Sequence, residues 1–200
     1  NVWARAILAD EYDVQPSTLR WVRGGYEHAG RIEKIAVTLP ADIRIEEAPA
    51  GKTISGMLAD GELDAVIGPR APSCFERGHP HVGWLWRDPM AAAIEWYQRY
   101  RIFPIMHLIG IRRTLVEQHP WLPVAVAKAF EAAKALALTR LRDTSATKVT
   151  LPFVEEQLGN ARRLMGDDFW SYGLAANHHV LQLFLRHHHA QGLSTRLLEP

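Results

Sequence analysis

The sequence contains a single cysteine, Cys74, in 200 residues. One thiol can form neither an internal disulfide nor the cysteine cluster of a structural zinc site. No hydrophobic run approaches the ~20 residues that cross a bilayer. No basic stretch followed by an apolar core opens the chain, so no signal peptide is visible. These absences exclude a disulfide-stapled scaffold and predict a protein without a membrane span.

An excess of charge of either sign is also missing. The chain has 23 basic and 22 acidic residues, for a net charge of +1. Nucleic-acid binding usually requires a basic excess on one face, so no nucleic-acid partner is predicted. A small anionic ligand stays open, because it needs only a few local arginines. Hydrophobic residues at 48% exclude intrinsic disorder.

The common catalytic and nucleotide-binding motifs are absent as well. The chain has no HExxH, no phosphate-binding P-loop, no GxGxxG and no GxSxG. The run His187-His188-His189 invites a metal interpretation. Successive side chains on a helix point about 100° apart, so the three cannot share one ion. The run is more typical of a solvated helix face, and no metal site is predicted.

Helical and strand patterns alternate over the first 70 residues, which is typical of an α/β sheet. Between residues 26 and 40 the sequence is irregular and mixed in charge. The predicted elements are a helix over 2–12, strands over 19–22 and 43–46, a helix over 54–61 capped by Thr53, and a buried strand over 64–68.

The pattern changes near residue 115, where mainly helical sequence begins. This change predicts two parts, an α/β part over 1–115 and a mainly helical part over 116–200. The elements predicted after residue 70 are a loop over 71–88, a helix over 89–100, a strand over 103–111, and helices over 121–141, 151–165 and 177–191, the last stopped by Gly192.

Arg70 is the first candidate functional residue. It follows the predicted strand 64–68 directly after Gly68-Pro69. Ligands of open α/β sheets bind at the carboxyl ends of strands. The arginine fork fits a carboxylate through two parallel hydrogen bonds. A carboxylate site and a surface salt bridge are equally compatible with this position.

His107 is the second candidate, because it lies within the apolar run 102–111. Such a histidine is commonly a core residue hydrogen-bonded to a backbone carbonyl. The alternative is a proton donor in a cleft, where burial and a bound carboxylate act on its pKa in opposite directions.

Several long stretches of the chain resemble the 4,5-dihydroxyphthalate decarboxylase family, in the family's order and over nearly the whole length. They are Val2-Trp3-Ala4-Arg5-Ala6-Ile7-Leu8, Gly24-Gly25 with Glu27, residues 30–34, Asp64-Ala65-Val66-Ile67-Gly68-Pro69-Arg70-Ala71-Pro72, Ile102-Phe103-Pro104-Ile105-Met106-His107, His119-Pro120-Trp121, residues 165–170 with Tyr172-Gly173, and Ala176-Asn177.

The resemblance implies a type 2 periplasmic-binding-protein-like fold, in which two α/β lobes enclose a cleft. Residues 1–115 would form most of the second lobe, and residues 116–200 would be helices returning to the first lobe. The first lobe would precede Asn1. A helix that begins at the first residues without a preceding cap favours the same interpretation.

The resemblance also implies loss of one ring carboxylate from 4,5-dihydroxyphthalate to give 3,4-dihydroxybenzoate. In principle the reaction needs no cofactor, because a para hydroxyl makes the ipso carbon basic. On this hypothesis Arg70 holds the retained carboxylate and His107 is the general acid. Ser73 and Arg5 are secondary substrate contacts. Arg101 is a weaker one, since Tyr100-Arg101 departs from the Thr-Gly-like pair expected there.

Two alternatives stay open at this point. The chain could belong to a solute-binding protein of an ABC transporter that recognises a small carboxylate, or it could be an inactive fragment. The expected partner is a small aromatic carboxylate, and a homo-oligomer is compatible with the sequence. The expected location is the cytoplasm, or the periplasm for the transport alternative.

Overall fold

The computed structural model describes residues 1–30, 39–145 and 149–200. Residues 31–38, which belong to the predicted irregular stretch and include residues 31–34 of the family-like segment 30–34, lie outside the described residues. The described helices are α1 Val2–Tyr12, α2 Ile54–Ala59, α3 Ser73–Glu76, α4 Pro89–Tyr100, α5 Arg113–Gln118, α6 Leu122–Arg142, α7 Val154–Met165 and α8 Leu174–Ala190, and the strands are β1 Arg20–Arg23 and β2 Arg44–Glu47.

The two strands pair in parallel, with Arg20 opposite Arg44 and Arg23 opposite Glu47. Ion pairs join the strands on the exposed surface, one between Arg20 and Glu46 and one between Arg23 and Glu47. Both strands were predicted within one residue of their observed bounds. The described chain is therefore mixed α/β with a small parallel sheet, as predicted at that level.

Two compact units make up the chain, residues 1–95 with 179–200 and residues 96–178. In the first unit, α1 buries Trp3 and Ala6. The Trp3 ring lies 5.6 Å from the ring of Phe184 on α8. Asp13 ends α1 in the left-handed conformation, and its N–H donates to the carbonyl of Leu8. The helix predicted over 2–12 is confirmed. The division at residue 115 stays a prediction.

Helix α2 is preceded by the N-cap residue Thr53, which the sequence predicted. The Thr53 hydroxyl accepts a hydrogen bond from the Gly56 N–H at 3.0 Å, as its position before an apolar helical pattern predicts. The helix buries Ile54, Ser55 and Met57 and ends at Ala59, two residues before the predicted end.

Local patterns also located the longer helices after residue 88. Helix α4 has the predicted bounds, and α6 is shifted by one residue at each end. Helix α7 begins three residues later than predicted, and α8 begins three residues earlier. After α8, Gly192 adopts a φ of 74°, which confirms it as the stop signal. The short helices α3 and α5 were not predicted.

Two predicted strands are wrong. Residues 64–68 form no regular structure, and their side chains are exposed or half-buried rather than buried. Residues 103–111 are irregular too, with Met106 71% and Leu108 74% exposed. An apolar run becomes a strand only where another strand satisfies its backbone groups. The sheet of the described residues consists of β1 and β2 alone.

The helices were also compared with what a membrane span requires. None of those in residues 1–30, 39–145 and 149–200 combines sufficient length with sufficient apolar character to cross a bilayer.

Candidate functional site

Arg70 lies in the exposed turn between residue 68 and the start of α3. Because residues 64–68 are not a strand, the predicted position at the end of a buried strand is wrong. The Arg70 guanidinium has neither a hydrogen bond nor an ion pair with any residue that the structure describes. Its five N–H donors are available to an incoming anion.

The Tyr26 ring packs against the backbone at Gly68, just before Arg70. A Cβ atom at Gly68 would lie 2.5 Å from the Tyr26 hydroxyl oxygen and 2.8 Å from Cζ. Any side chain larger than hydrogen at this position would force the Tyr26 ring to shift. Burial raises the pKa of Tyr26, and the neighbouring Glu27 carboxylate adds to that rise.

Glu27 contacts the other end of the same turn. Its Oε1 accepts a hydrogen bond from the Ser73 N–H at 2.9 Å, and its Oε2 accepts one from the Ser73 hydroxyl at 2.6 Å. The hydroxyl bond, followed by the backbone bond, lowers the pKa of Glu27. The carboxylate therefore stays ionised to lower pH than an unpaired glutamate.

The donor of each hydrogen bond around Ser73 is fixed, because a hydroxyl has only one proton to donate. The Ser73 hydroxyl donates its one proton to Glu27. Arg77 Nη2 donates to Ser73 Oγ at 3.1 Å, and the Cys74 N–H donates to Ser55 Oγ at 3.2 Å. The Ser55 and Ser73 oxygens are 3.1 Å apart, so Ser55 must be the donor between them. The Ser73 hydroxyl is saturated, and a substrate oxygen would have to displace one of its partners.

Arg5 on α1 is engaged within the first unit. Its Nε donates to Gln191 Oε1 at 2.8 Å, while Gln191 Nε2 donates to the carbonyl of Val2 at 3.2 Å. The guanidinium also lies 5.8 Å from the ring centre of Trp21. Burial lowers the pKa of Arg5. These contacts hold the side chain against its own unit.

His107 and Arg101 belong to the second unit. His107 is exposed on the irregular segment 103–111, so its predicted place in the middle of a strand is wrong. Within the described chain its ring makes no hydrogen bond. Arg101 follows α4 with a φ of 54°, and its guanidinium lies 5.8 Å from the ring centre of Tyr97. Phe103 contacts Trp170 with ring centres 5.6 Å apart.

The histidine run is not the uniformly solvated face that was predicted. His187 is buried, with 8% of its surface exposed, and its Nε2 lies 2.8 Å from Asp10 Oδ2. His189 bonds instead to the carbonyl of Ser194 at 3.0 Å. The two rings thus have different partners. His187 is buried because α1 covers this part of α8, a contact that no local pattern records.

Sequence reasoning also missed the roles of Tyr26, Ser55 and Glu27 around Arg70. Glu27 was noted only among the family-like residues, and it contacts Ser73 across 46 positions of sequence. No spacing rule connects residues so far apart. The proline at position 72, directly before a serine, was the one local sign that Ser73 begins a helical turn.

Sequence comparison relates the entire chain to a curated protein. It is 64% identical over all 200 residues to the 4,5-dihydroxyphthalate decarboxylase of Comamonas testosteroni and spans 61% of that protein. A protein of the same name from Pseudomonas putida is 59% identical over 98 residues, which are 49% of this chain and 38% of that protein. No family model matches the chain. By its sequence, the chain is similar to curated 4,5-dihydroxyphthalate decarboxylases and spans about three fifths of the length of the Comamonas testosteroni protein.

Proposed function

We propose that the chain is part of an enzyme that removes one carboxylate from 4,5-dihydroxyphthalate and produces 3,4-dihydroxybenzoate. The observation that carries the proposal is the 64% identity, over the whole chain, to a protein named for this activity. The second relative has the same name. Both names favour decarboxylation over the solute-binding alternative.

The chemistry sets three requirements for the protein. Each ring carbon of the substrate that bears a carboxylate has a hydroxyl para to it, and this hydroxyl donates electrons into the ring. A general acid protonates the ipso carbon, and carbon dioxide leaves as aromaticity returns. The second carboxylate must be held in place, and apolar surroundings must favour neutral carbon dioxide over the carboxylate.

In this proposal Arg70 binds the carboxylate that is retained. Its exposed guanidinium, with no partner in the described chain, supports the role because no ion pair has to break first. Arg5, Ser73 and Arg101 remain secondary candidates. The engagement of Arg5 with Gln191 and of Ser73 with Glu27 favours a supporting role for both.

His107 is proposed as the general acid. The histidine side chain donates protons efficiently near neutral pH. The exposed ring of His107, without a partner in the described ranges, and its apolar neighbours Met106 and Leu108 support this assignment.

The proposal extends to the fold and location. The family-like stretches support a type 2 periplasmic-binding-protein-like architecture, with residues 1–115 in the second lobe and residues 116–200 returning to the first. The parallel pairing of β1 and β2 is compatible with that fold. The proposed location is the cytoplasm.

A hybrid protein tests the function. In the Comamonas testosteroni protein, the stretch matched by this chain is replaced by the full 200-residue sequence. The hybrid and the chain by itself are incubated with 4,5-dihydroxyphthalate, and 3,4-dihydroxybenzoate and carbon dioxide are measured. We expect product from the hybrid. A hybrid that unfolds cooperatively but forms no product, beside an active parent, would contradict the proposal.

A further inference from the structure

We propose that Glu27 is a positioning residue for Arg70, which it holds in place by fixing the far end of the turn formed by residues 68–73. The inference rests on the proposed function, in which Arg70 binds a substrate carboxylate. It assigns to Glu27 no contact with the substrate. Its action passes through Ser73 and the backbone of the turn.

Two consecutive residues contact the turn on both sides of Arg70. The Tyr26 ring lies against Gly68, two residues before Arg70. The Glu27 carboxylate accepts two hydrogen bonds from Ser73, three residues after it. Pro69 and Pro72 lie in between, and each fixes its own φ. The contacts at Gly68 and Ser73, together with the two prolines, thus restrict the backbone at Arg70.

The backbone behind these contacts is itself anchored. The carbonyl of Gly25, which is buried, accepts a hydrogen bond from the Ile54 N–H at 3.0 Å. The carbonyl of Tyr26 accepts one from the Ser55 N–H at 3.1 Å. Both donors lie at the buried start of α2. The backbone that leads to Glu27 is therefore tied to the core of the first unit, and the exposed carboxylate is held by its two bonds to Ser73.

The hydrogen bonds around Ser73 lead to a carboxylate, which accepts and does not donate. The donors run in one direction, from the Cys74 N–H to Ser55, from Ser55 to Ser73, and from Ser73 to Glu27. The chain of donors ends on a group that receives two protons and donates none. A glutamine in the same geometry would present its amide N–H groups to one of the two Ser73 donors, which disfavours that hydrogen bond.

The negative charge of Glu27 allows a positioning role to be distinguished from a direct electrostatic effect on the substrate. A carboxylate near a site for a dicarboxylate repels the substrate if it acts only through its charge. Removing that charge would then tighten substrate binding. A positioning role predicts the opposite, because a loosened turn holds Arg70 less precisely and binding weakens.

The test compares Glu27→Gln with Glu76→Gln in the hybrid protein. Glu76 is exposed on α3, and its carboxylate has no hydrogen bond to any residue that the structure describes. The control therefore removes the same charge without touching Ser73. We expect Glu27→Gln to raise KM about tenfold and to change kcat less than about twofold. Glu76→Gln should leave both constants unchanged. A KM that falls or stays constant in Glu27→Gln overturns the inference.

A double-mutant cycle with Arg70→Ala separates positioning from general loss of structure. If Glu27 acts through Arg70, Glu27→Gln should not raise KM further once Arg70 is absent. Equal factors in both backgrounds would overturn the inference. Ser73→Ala serves if Glu27→Gln does not fold, because it removes the hydroxyl bond and keeps the backbone bond. It should raise KM by a smaller factor, and an unchanged KM would overturn the inference.

Phthalate, which lacks the activating hydroxyls, provides a readout independent of turnover. Calorimetric titration should show weaker phthalate binding to Glu27→Gln than to Glu76→Gln. The unsubstituted hybrid could turn over substrate or bind phthalate while the two variants bind phthalate equally well. That result would reject the positioning role of Glu27 and leave the proposed function standing. A folded hybrid that neither reacts nor binds would reject the proposed function, and the inference with it.

Discussion

His187 Nε2 lies 2.8 Å from Asp10 Oδ2, and this hydrogen bond joins α8 to α1 across 177 positions of sequence. The same Asp10 oxygen accepts a hydrogen bond from Arg186 Nη2 at 2.9 Å. His187 is buried and Asp10 is exposed. The first unit is therefore closed by a polar contact between the first and last described helices, beside the packing of Trp3 on Phe184.

We expect His187→Ala to lower the free energy of unfolding by about 1–3 kcal/mol, because a partly buried hydrogen bond to a carboxylate is lost. His178→Ala is the matched control on the same helix, since His178 is exposed and has no hydrogen bond in the described ranges. Urea denaturation of the two variants provides the comparison. Equal losses of stability would show that the Asp10 contact contributes nothing.

The lowered pKa of Glu27 predicts how stability depends on pH. The two Ser73 hydrogen bonds favour the ionised carboxylate in the folded state. Their contribution is present above the ordinary carboxyl pKa of about 4.3 and is lost as pH falls through the lower folded-state value. Glu27→Gln should flatten the fall in Tm between pH 5 and 3 in thermal melts, relative to Glu76→Gln. Parallel curves for the two variants would contradict this prediction.

Lys134 on α6 holds the loop 166–173 in the second unit. Its Nζ lies 2.9 Å from Glu131 Oε2 and 3.1 Å from Asp168 Oδ1. It also donates to the carbonyl of Trp170 at 3.2 Å and lies 4.6 Å from the ring centre of Tyr172. Burial by itself lowers the pKa of Lys134, but the hydrogen bonds and charges of Glu131 and Asp168 outweigh it, so the pKa is raised.

Lys134→Ala should therefore lower the free energy of unfolding by about 1–2 kcal/mol. Because the folded-state pKa is raised, the contribution is present below the ordinary lysine pKa of about 10.4 and is lost as pH rises through the folded value. Lys128→Ala is the control, an exposed lysine of α6 without an ion pair in the described chain. Amide exchange over residues 166–173 should quicken only in Lys134→Ala. Unchanged exchange there would count against the anchoring role.

The features that the sequence predicted well depend on neighbours within one or two helical turns. The apolar spacing of α1 is local, as are the Thr53 cap on α2 and the Gly192 stop after α8. Each feature depends on contacts between residues at most a few positions apart, so a single segment contains all the residues that determine it.

The features that were wrong or missed depend on distant residues. The runs 64–68 and 103–111 have strand-like composition, but a strand also needs a pairing partner, and composition does not supply one. The burial of His187 requires Asp10, and the saturation of the Ser73 hydroxyl requires Glu27. Arg70 was proposed from its place in the sequence, and Tyr26 and Glu27, which contact the turn on both sides of it, lie outside that segment.

Substitutions of the two candidate functional residues, Arg70 and His107, should change different kinetic constants. For Arg70→Ala in the hybrid we expect KM to rise by about one to two orders of magnitude, because a charge-assisted contact to the retained carboxylate is lost. Arg87→Ala is the control, since Arg87 is exposed and has no ion pair with the described residues. Steady-state rates over a range of 4,5-dihydroxyphthalate concentrations measure both variants. Equal KM values would remove Arg70 from the site.

His107→Gln should lower kcat by about two orders of magnitude or more with little change in KM, because a general acid acts in the transition state and contributes little to binding of the ground state. Glutamine keeps a polar side chain of similar reach but cannot donate a proton as an acid. His178→Gln is the matched control and should retain full activity, since His178 is also an exposed histidine without a hydrogen bond in the described chain. Near-normal turnover by His107→Gln would assign the proton to another donor. A large rise in KM at constant kcat would instead place His107 among the groups that bind the substrate.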